Sequence, residues 1–549
     1  MHWEQCEIKD ISHPDLRQYS ICKQILYALG ASMNEINEAE SARQIKAGAV
    51  LGYITIFINL LAGLIYTPWM IRSLGQDNYG LYTLSVSIIG ILVMDFGLGA
   101  AVTRFLSLYN SRNDREAANN LLGIIYKFFL LLDIVIAIVL LAVYFSIGSI
   151  YRELSFVQIH KLKVIFLISA IYSILAFPFG TLNGILTSYE KFVQLKACEL
   201  FYKLLNMALI IGALKLGYGL YTMVMVNAVT GILNILMKFI FVRKSTNVRA
   251  NYHYKEKKTT KEIFSFSLWS TVVNIAQRFI YNIIPSILGI YCGAVSISVF
   301  GASATVEGIV FTFASAINGL FFPKVSRILT KDNKEERLLE LMIKVGRIQL
   351  FIVGIIFTGF LAVGRDFIGF WLGNGFQNAY ICILFLIFPS IFELTQHIAG
   401  LTVTASGMVR LQSYVYAVMA VINVALSILL TREYKEIGAA VSVCTAYLFR
   451  TTAMNFIYYR KLKINVFRFF KECFFKMGIP LIVSLAAAVL IALIPYKGIP
   501  FFLIKGGVIA GIYLLLMWLF GLNAFEKELF LSLFQKSIKF FRRSLEKLF

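Results

Sequence analysis

The sequence predicts an all-α, polytopic membrane protein with about fourteen transmembrane helices, built as two six-helix lobes and two extra C-terminal helices. Three observations lead there. The 549 residues are 58% hydrophobic and only 15% charged, with a mean hydropathy of +0.74, whereas soluble domains run about 45–50% apolar and about 25% charged. The apolar residues fall in long continuous runs, enough for helices of about 20 residues to cross a bilayer; strands of a barrel would alternate instead. The basic residues, which set a net charge of +22, crowd into alternate connections.

The runs follow in order. The first, 47–71, ends at Pro68, and the second, 81–105, contains Asp95 and Arg104. The third, 121–146, carries Lys127 and Asp133, and the fourth, 163–187, carries Pro178. Runs 196–216 and 219–242 complete the first lobe, 47–242. A basic connection at 243–263 leads to 264–290, which carries Pro285, and then to 296–322 and 347–364. Run 379–402 carries Pro389, and 412–430 and 438–459 close the second lobe, 264–459. The last two runs, 478–495 and 501–521, lie with their preceding basic loop in 460–521.

Orientation comes from charge. With the N-terminus in the cytoplasm, the inside connections are 243–262, 324–347, 460–477 and the tail after Leu522, and they hold most of the lysines and arginines. The outside connections hold few, such as Arg72, Arg152, Lys161, Arg432, Lys435 and Lys497. This asymmetry predicts a bacterial cytoplasmic (inner) membrane protein with both termini in the cytoplasm and an even helix count. Anionic lipid is then the partner of the basic runs, and nucleic acid is not needed to explain them. Residues 1–46 form a polar extension, of which 1–32 lack the pattern of a signal peptide and read as an upstream start or a dispensable segment before Met33. Residues 522–549 read as an amphipathic helix on the inner leaflet.

The seven cysteines show no CxxC, the five histidines no HExxH, and there is no phosphate-loop motif. Metal, disulfide-framework and ATPase readings therefore have no support. Prolines and aromatics recur at a fixed shift: Pro68 with Pro285, Pro178 with Pro389, Tyr82 with Phe300, all near 215 residues apart. Six helices separate each pair, so the two lobes are predicted to share one topology as a parallel repeat, with a cleft between them. Pro178 and Pro389 are the candidate hinges.

RSLGQDNYGLYTL (72–84), DFGLGAAVTRF (95–105), FPFGTLNGILTSYEKF (177–192), LFFPKVSRIL (320–329), GRDFIGFWLGNGFQNAY (364–380) and EIGAAVSVCTAY (436–447) occur in that order. Together they resemble bacterial polysaccharide-repeat flippases, Wzx-like members of the multidrug/oligosaccharidyl-lipid/polysaccharide exporter superfamily. The resemblance covers roughly residues 33–530. It implies a MATE-like fold of two lobes, a transporter rather than an enzyme, and a lipid-linked (undecaprenyl-diphosphate) oligosaccharide as substrate for surface polysaccharide synthesis. A polysaccharide polymerase and glycosyltransferases would then be partners.

Charges inside a membrane are expensive, roughly 2.5–3.5 kcal/mol at the centre on insertion scales, and are functional candidates by default. Lys203, Glu199, Lys238 and Lys505 lie near helix ends, where they can snorkel; Glu199 and Lys203 are spaced to pair. Asp95, Lys127, Asp133, Arg278, Glu307, Glu393, His397 and Arg450 lie deeper. Arg278 and Arg450 of the second lobe, with Lys127 and Arg104 of the first, are the candidate ligands of a diphosphate headgroup, because cationic donors fit phosphate oxygens. Asn274, Gln277, Asn282, Asn318, Tyr126 and Tyr281 are candidate sugar contacts. Asp95, Asp133, Glu307, Glu393 and His397 are candidates for coupling to Na+ or H+; no other cofactor is expected. Glu393 and His397 stand one turn apart, and the glycines at 97 and 99 give the second helix a side that a neighbour can approach closely. A cation-coupled multidrug antiporter and a lipid II-type flippase are the alternatives within the superfamily; a membrane scaffold or an enzyme of polysaccharide assembly is a further alternative, disfavoured because a polymerase or ligase would carry a large outside loop and no outside connection here is much longer than about 20 residues.

Overall fold

The computed structural model describes residues 44, 47–48, 50–94, 96–254, 271–315, 321–495 and 498–532. Among them every regular element is helical. The first lobe contains α1 (Val50–Leu74), α2 (Gln76–Leu92), α3 (Leu98–Ser111), α4 (Arg115–Ile150), α5 (Phe156–Ser188), α6 (Phe192–Lys215) and α7 (Leu220–Ser245). A helical stretch at 271–281 leads into α8 (Ile283–Tyr291). Then come α9 (Ala294–Ser315), α10 (Phe322–Leu329), α11 (Lys334–Trp371), α12 (Ala379–Thr395), α13 (His397–Ala405) and α14 (Val409–Arg460). The last two are α15 (Val466–Ala492) and α16 (Ile499–Gly521).

Ten of these helices are long and apolar enough to cross a membrane, or eleven if the bent pair α12–α13 is one span. That measure covers the described residues alone and counts the two arms of α14 as one helix, so it does not confirm the expected fourteen. α14 is 52 residues long, about 78 Å if straight, more than twice the roughly 30 Å of a hydrocarbon core. It does not run straight: Lys435 (φ 49, ψ −131) interrupts it. The Leu430 carbonyl oxygen lies 2.3 Å from where a Cβ on Gly438 would sit, so the chain folds back on itself there.

The second predicted run, 81–105, is also interrupted. It is two helices, α2 and α3, separated by residues in which Phe96 (φ 48) and Gly97 (φ 71) take left-handed backbone angles. Asp95 lies outside the described residues. Local caps match the sequence: Ser155 and Gln158 form a capping box at the start of α5, and Asp114 accepts from the Ala117 amide at the start of α4.

The internal repeat is written in the backbone. Left-handed residues occur in pairs at Gly75 and Gly293, Asn113 and Asn333, Glu190 and Gly407, and Gly217 and Lys435. Each pair repeats the shift near 215 and marks equivalent connections in the two lobes. The lobes meet where α2 packs on α8 and α9. Gly80 makes this possible: an added Cβ would lie 2.1 Å from the Ala294 carbonyl oxygen. On the other helix, a Cβ on Gly301 would lie 2.9 Å from Thr83 Cγ2. Small residues let backbones approach where lipid supplies no hydrophobic drive between helices.

α15 and α16 pack on α11 of the second lobe. Arg347 of α11 fastens them, donating to Glu526 (2.5 and 2.9 Å), to the Glu472 carbonyl (2.9 Å) and to the Gly521 carbonyl (2.6 Å). Glu526 is buried, so the first part of the expected amphipathic tail docks on the bundle; residues 533–549 are outside the described residues. Residues 249–254 of the expected basic loop likewise dock on α4, where Asn119 and Asn120 take the Arg249 amide (2.7 Å) and the Asn251 side chain (2.7 Å).

Gly80→Val should lower the thermal stability of the detergent-solubilised protein, since overpacking costs about 1–3 kcal/mol. Gly308→Val, with no atom within 4 Å of its added Cβ, should leave the melting temperature unchanged. A melting curve for each variant checks this, and equal shifts would show that the α2–α9 approach is not the cause.

Candidate functional site

A helix that stops inside the hydrocarbon leaves carbonyls without amide partners, and each costs several kcal/mol unless something donates to it. α2 stops at Leu92, in the middle of the run 81–105 read as a membrane span. The second lobe supplies the donors. Arg278 Nη1 donates to the Gly90 carbonyl at 2.5 Å, and Thr271 Oγ1 donates to the Phe96 carbonyl at 2.6 Å. A cation there also suits the negative end of the helix dipole.

Beside this junction lies a cavity of about 740 Å³ between the lobes. Its two walls differ in chemistry. The first lobe contributes Val93 and Met94 of the helix break, Phe129 of α4, and Tyr172, Ser173, Ala176, Phe177 and Gly180 of α5. The second lobe contributes Asn274, Gln277, Arg278, Tyr281 and Asn282. One wall is mainly apolar and aromatic; the other carries amides, a phenol and a guanidinium. Arg278 is the single formally charged side chain among the described lining residues.

Of the expected headgroup ligands, Arg278 alone lines this cavity. Arg450 stands behind its wall. It is buried, donates to Glu393 Oε1 (2.8 Å) and the Tyr416 hydroxyl (3.1 Å), and lies over the Tyr447 ring at 5.1 Å. Tyr447 in turn lies 6.0 Å from Tyr281 in the wall. The pairing is the physical reason: a buried guanidinium needs a carboxylate, and Glu393 provides it. Lys127 donates to the Tyr254 carbonyl at 2.9 Å and so pins the docked 249–254 segment. Arg104 is exposed on α3, with its guanidinium 5.6 Å from the Phe105 ring.

The expected coupling residues separate in the same way. Glu307 is buried on α9 close to Tyr281. Asp133 is half-buried in the middle of α4, and its Oδ1 has no partner. Glu393 and His397 do not share a continuous helical face, because α12 ends at Thr395 and the chain bends by 59° before α13. That bend lies at Gln396, seven residues beyond the expected hinge Pro389, which is accommodated inside α12. Pro178 lies in a tight 3-10 turn, Phe177–Gly180, that borders the cavity. Among the sugar candidates, Asn274, Gln277, Tyr281 and Asn282 line the cavity. The Tyr126 hydroxyl instead accepts from Thr181 at 2.9 Å, and Asn318 is outside the described residues.

The charges assigned to helix ends are also paired differently. Glu199 takes Lys196 (2.8 Å) rather than Lys203, Lys238 takes Asn183 (2.9 Å), and Lys505 is buried against Asp366 (3.1 Å).

A second junction between the lobes escaped the sequence reading. Residues Ala62–Tyr66 of α1 form a π-turn, which places an extra residue in the helix and leaves a carbonyl over. Trp371 Nε1 donates to the Leu64 carbonyl at 2.6 Å. Arg72 donates to the Phe370 and Trp371 carbonyls at the end of α11, and Gln76 Nε2 to the Gly375 carbonyl at 3.2 Å. The signal was present: RSLGQDNYGLYTL and GRDFIGFWLGNGFQNAY hold both sides of this junction. It fastens one end of the interlobe seam. Toward the other end, α3 packs within its own lobe, on α4 and the last turns of α5.

Comparisons with known proteins agree with this architecture. The family described as "Polysaccharide biosynthesis protein" matches residues 45–329, half of the chain. A Shigella flexneri protein named as an O-antigen transporter is 24% identical over 413 residues, 72% of this chain and 93% of its own. A Haloferax volcanii protein named as a low-salt glycan biosynthesis flippase is 22% identical over 35% of this chain and 41% of its own. In fold, the chain is similar to lipid II flippase MurJ in an inward closed conformation (TM-score 0.67, 15% identity, covering 85% of this chain and 97% of that one). It is also similar to an inward-facing multidrug MATE transporter (TM-score 0.57, 14% identity, 76% and 97%). This multi-pass membrane chain belongs to the polysaccharide biosynthesis protein family.

Proposed function

We propose that this protein is a flippase that moves a lipid-linked oligosaccharide, carried on undecaprenyl diphosphate, across the cytoplasmic membrane. The observation that carries this reading is the two-faced interlobe cavity: amides, Tyr281 and Arg278 on one wall, aromatic and apolar groups on the other. Amides and phenols bind sugar hydroxyls; a guanidinium binds diphosphate oxygens with two parallel hydrogen bonds. The family match and the O-antigen and glycan relatives support the substrate class. A cationic drug would meet Arg278 as the formal charge on the described wall, which disfavours the antiporter reading.

Arg278 gives binding a route to motion. Its guanidinium already donates to Gly90 of the opposite lobe. A diphosphate that takes those donors weakens the hold between the lobes at the cavity. The substrate thereby trades a lobe contact for a ligand contact, and the lobes rock about the remaining seam to give alternating access. Opening at the Trp371 end, assigned to the outside by the charge asymmetry, requires release of the Arg72, Gln76 and Trp371 contacts. Na+ or H+ coupling would fall to Asp133, Glu307 and Glu393, since the sequence carries no phosphate-loop motif.

Arg278→Ala should abolish export of the oligosaccharide, scored per amount of protein in the membrane, and Arg278→Lys should retain part of it. Loss of one charge-assisted hydrogen bond costs about 1.5–3 kcal/mol, roughly tenfold to a hundredfold in affinity. The readout is accessibility of lipid-linked oligosaccharide to an external sugar-modifying probe in cells depleted of the native protein. Unchanged accessibility in Arg278→Ala removes this residue from the site.

Cross-linking Gln76→Cys to Gly375→Cys, in a background without the native cysteines, should stop transport, and a reductant should restore it. Transport by the fully cross-linked protein would show that the Trp371 end need not open. Combining Asp133→Asn, Glu307→Gln and Glu393→Gln should remove any dependence of transport on the Na+ or H+ gradient; an unaltered dependence excludes all three.

A further inference from the structure

At the end of the molecule away from Trp371, two helical stripes of cations face each other. α10 and its following turn present Lys324, Arg327 and Lys331, spaced three and four residues apart. The first turns of α11 present Arg337, Glu340 and Lys344 at the same spacing. Residues so spaced share one helix face. The opposite faces are apolar and packed: Val325, Leu338 and Val345 are buried in the second lobe's core. The two stripes enclose a hollow of about 390 Å³. Its charged lining is five cations and one carboxylate.

The asymmetry of charge that orients a membrane protein depends on how many basic residues flank the helices. It does not call for five of them to be folded around one hollow with a single carboxylate, Glu340, where positive charge exceeds negative. An anion offsets that excess. Lysine offers a point charge and arginine a planar fork, and both suit phosphate oxygens. The volume lies in the range of small-ligand sites and exceeds what a single small ion fills. α10 is amphipathic, with exposed Phe322 at its start, which suits a helix at the level of lipid headgroups. None of the hollow's lining residues belongs to the interlobe cavity.

We propose that this hollow is a binding site for a membrane phospholipid headgroup that carries two phosphates. The lipid bridges α10 to α11 through Lys324, Arg327 and Lys331 on one side and Arg337 and Lys344 on the other. Lys344, whose ammonium lies 5.7 Å from the Phe525 ring, links the site to the docked start of the C-terminal segment. The inference does not depend on the transported substrate.

The test titrates cardiolipin onto the purified full-length protein in phosphatidylcholine nanodiscs and follows retention by native mass spectrometry. Lys324→Gln with Arg337→Gln, both exposed positions, should weaken retention about tenfold or more, and retention should fall steeply with salt. Arg278→Ala should retain cardiolipin like the unaltered protein. Lys331→Gln, scored together with a melting curve, separates loss of the site from loss of folding. Equal retention by the double variant and the unaltered protein overturns the site. Displacement of cardiolipin by inorganic pyrophosphate at equal concentration overturns the lipid and leaves a site for a soluble diphosphate.

Discussion

Two arginines hold the halves of this protein together, and each uses the same device. Arg278 of the second lobe donates to Gly90 near the end of α2, and Arg72 of the first lobe donates to Phe370 and Trp371 at the end of α11. In both cases a helix ends in or near the membrane with carbonyls that its own backbone cannot satisfy. In both cases a cation from the opposite lobe provides the missing donors and meets the negative end of the helix dipole. Backbone satisfaction and lobe association thus become one requirement. The π-turn in α1 extends the device, since Trp371 donates to the Leu64 carbonyl within it.

The cavity inherits its asymmetry from this arrangement. The broken helix exposes Val93 and Met94 on one side, while the stretch that caps it brings Asn274, Gln277, Arg278, Tyr281 and Asn282 to the other. Arg450 and Glu393 sit one layer deeper, joined to the wall through Tyr447 and Tyr281. Their charges offset each other, so they stiffen the second lobe without adding net charge to the cavity. Glu307 lies close to the same Tyr281 and places a further carboxyl group behind the wall.

Much of the architecture was legible because the bilayer leaves few choices. Long apolar runs must be helices, and a repeat in proline and aromatic positions reappears as paired left-handed residues at equivalent connections. The polar wall of the cavity was legible at Arg278 and at the nearby amides, which share one short stretch and one helical environment. It was not legible at Arg450, Lys127 or Lys505. Their partners, Glu393, the Tyr254 carbonyl and Asp366, are 57, 127 and 139 residues away. Nor could spacing alone show that Glu393 and His397 part company, because the bend at Gln396 falls between them.

The sequence by itself determined an all-helical membrane protein of two related lobes, since hydropathy and period act locally and the membrane punishes every unsatisfied backbone group. It also determined the family, through motifs kept in order along the chain. Only the tertiary structure decided which charges are exposed to the cavity and which are already neutralised. An isolated charge in the interior is so costly that its meaning depends on the group lying against it, and that group is chosen by how the helices pack.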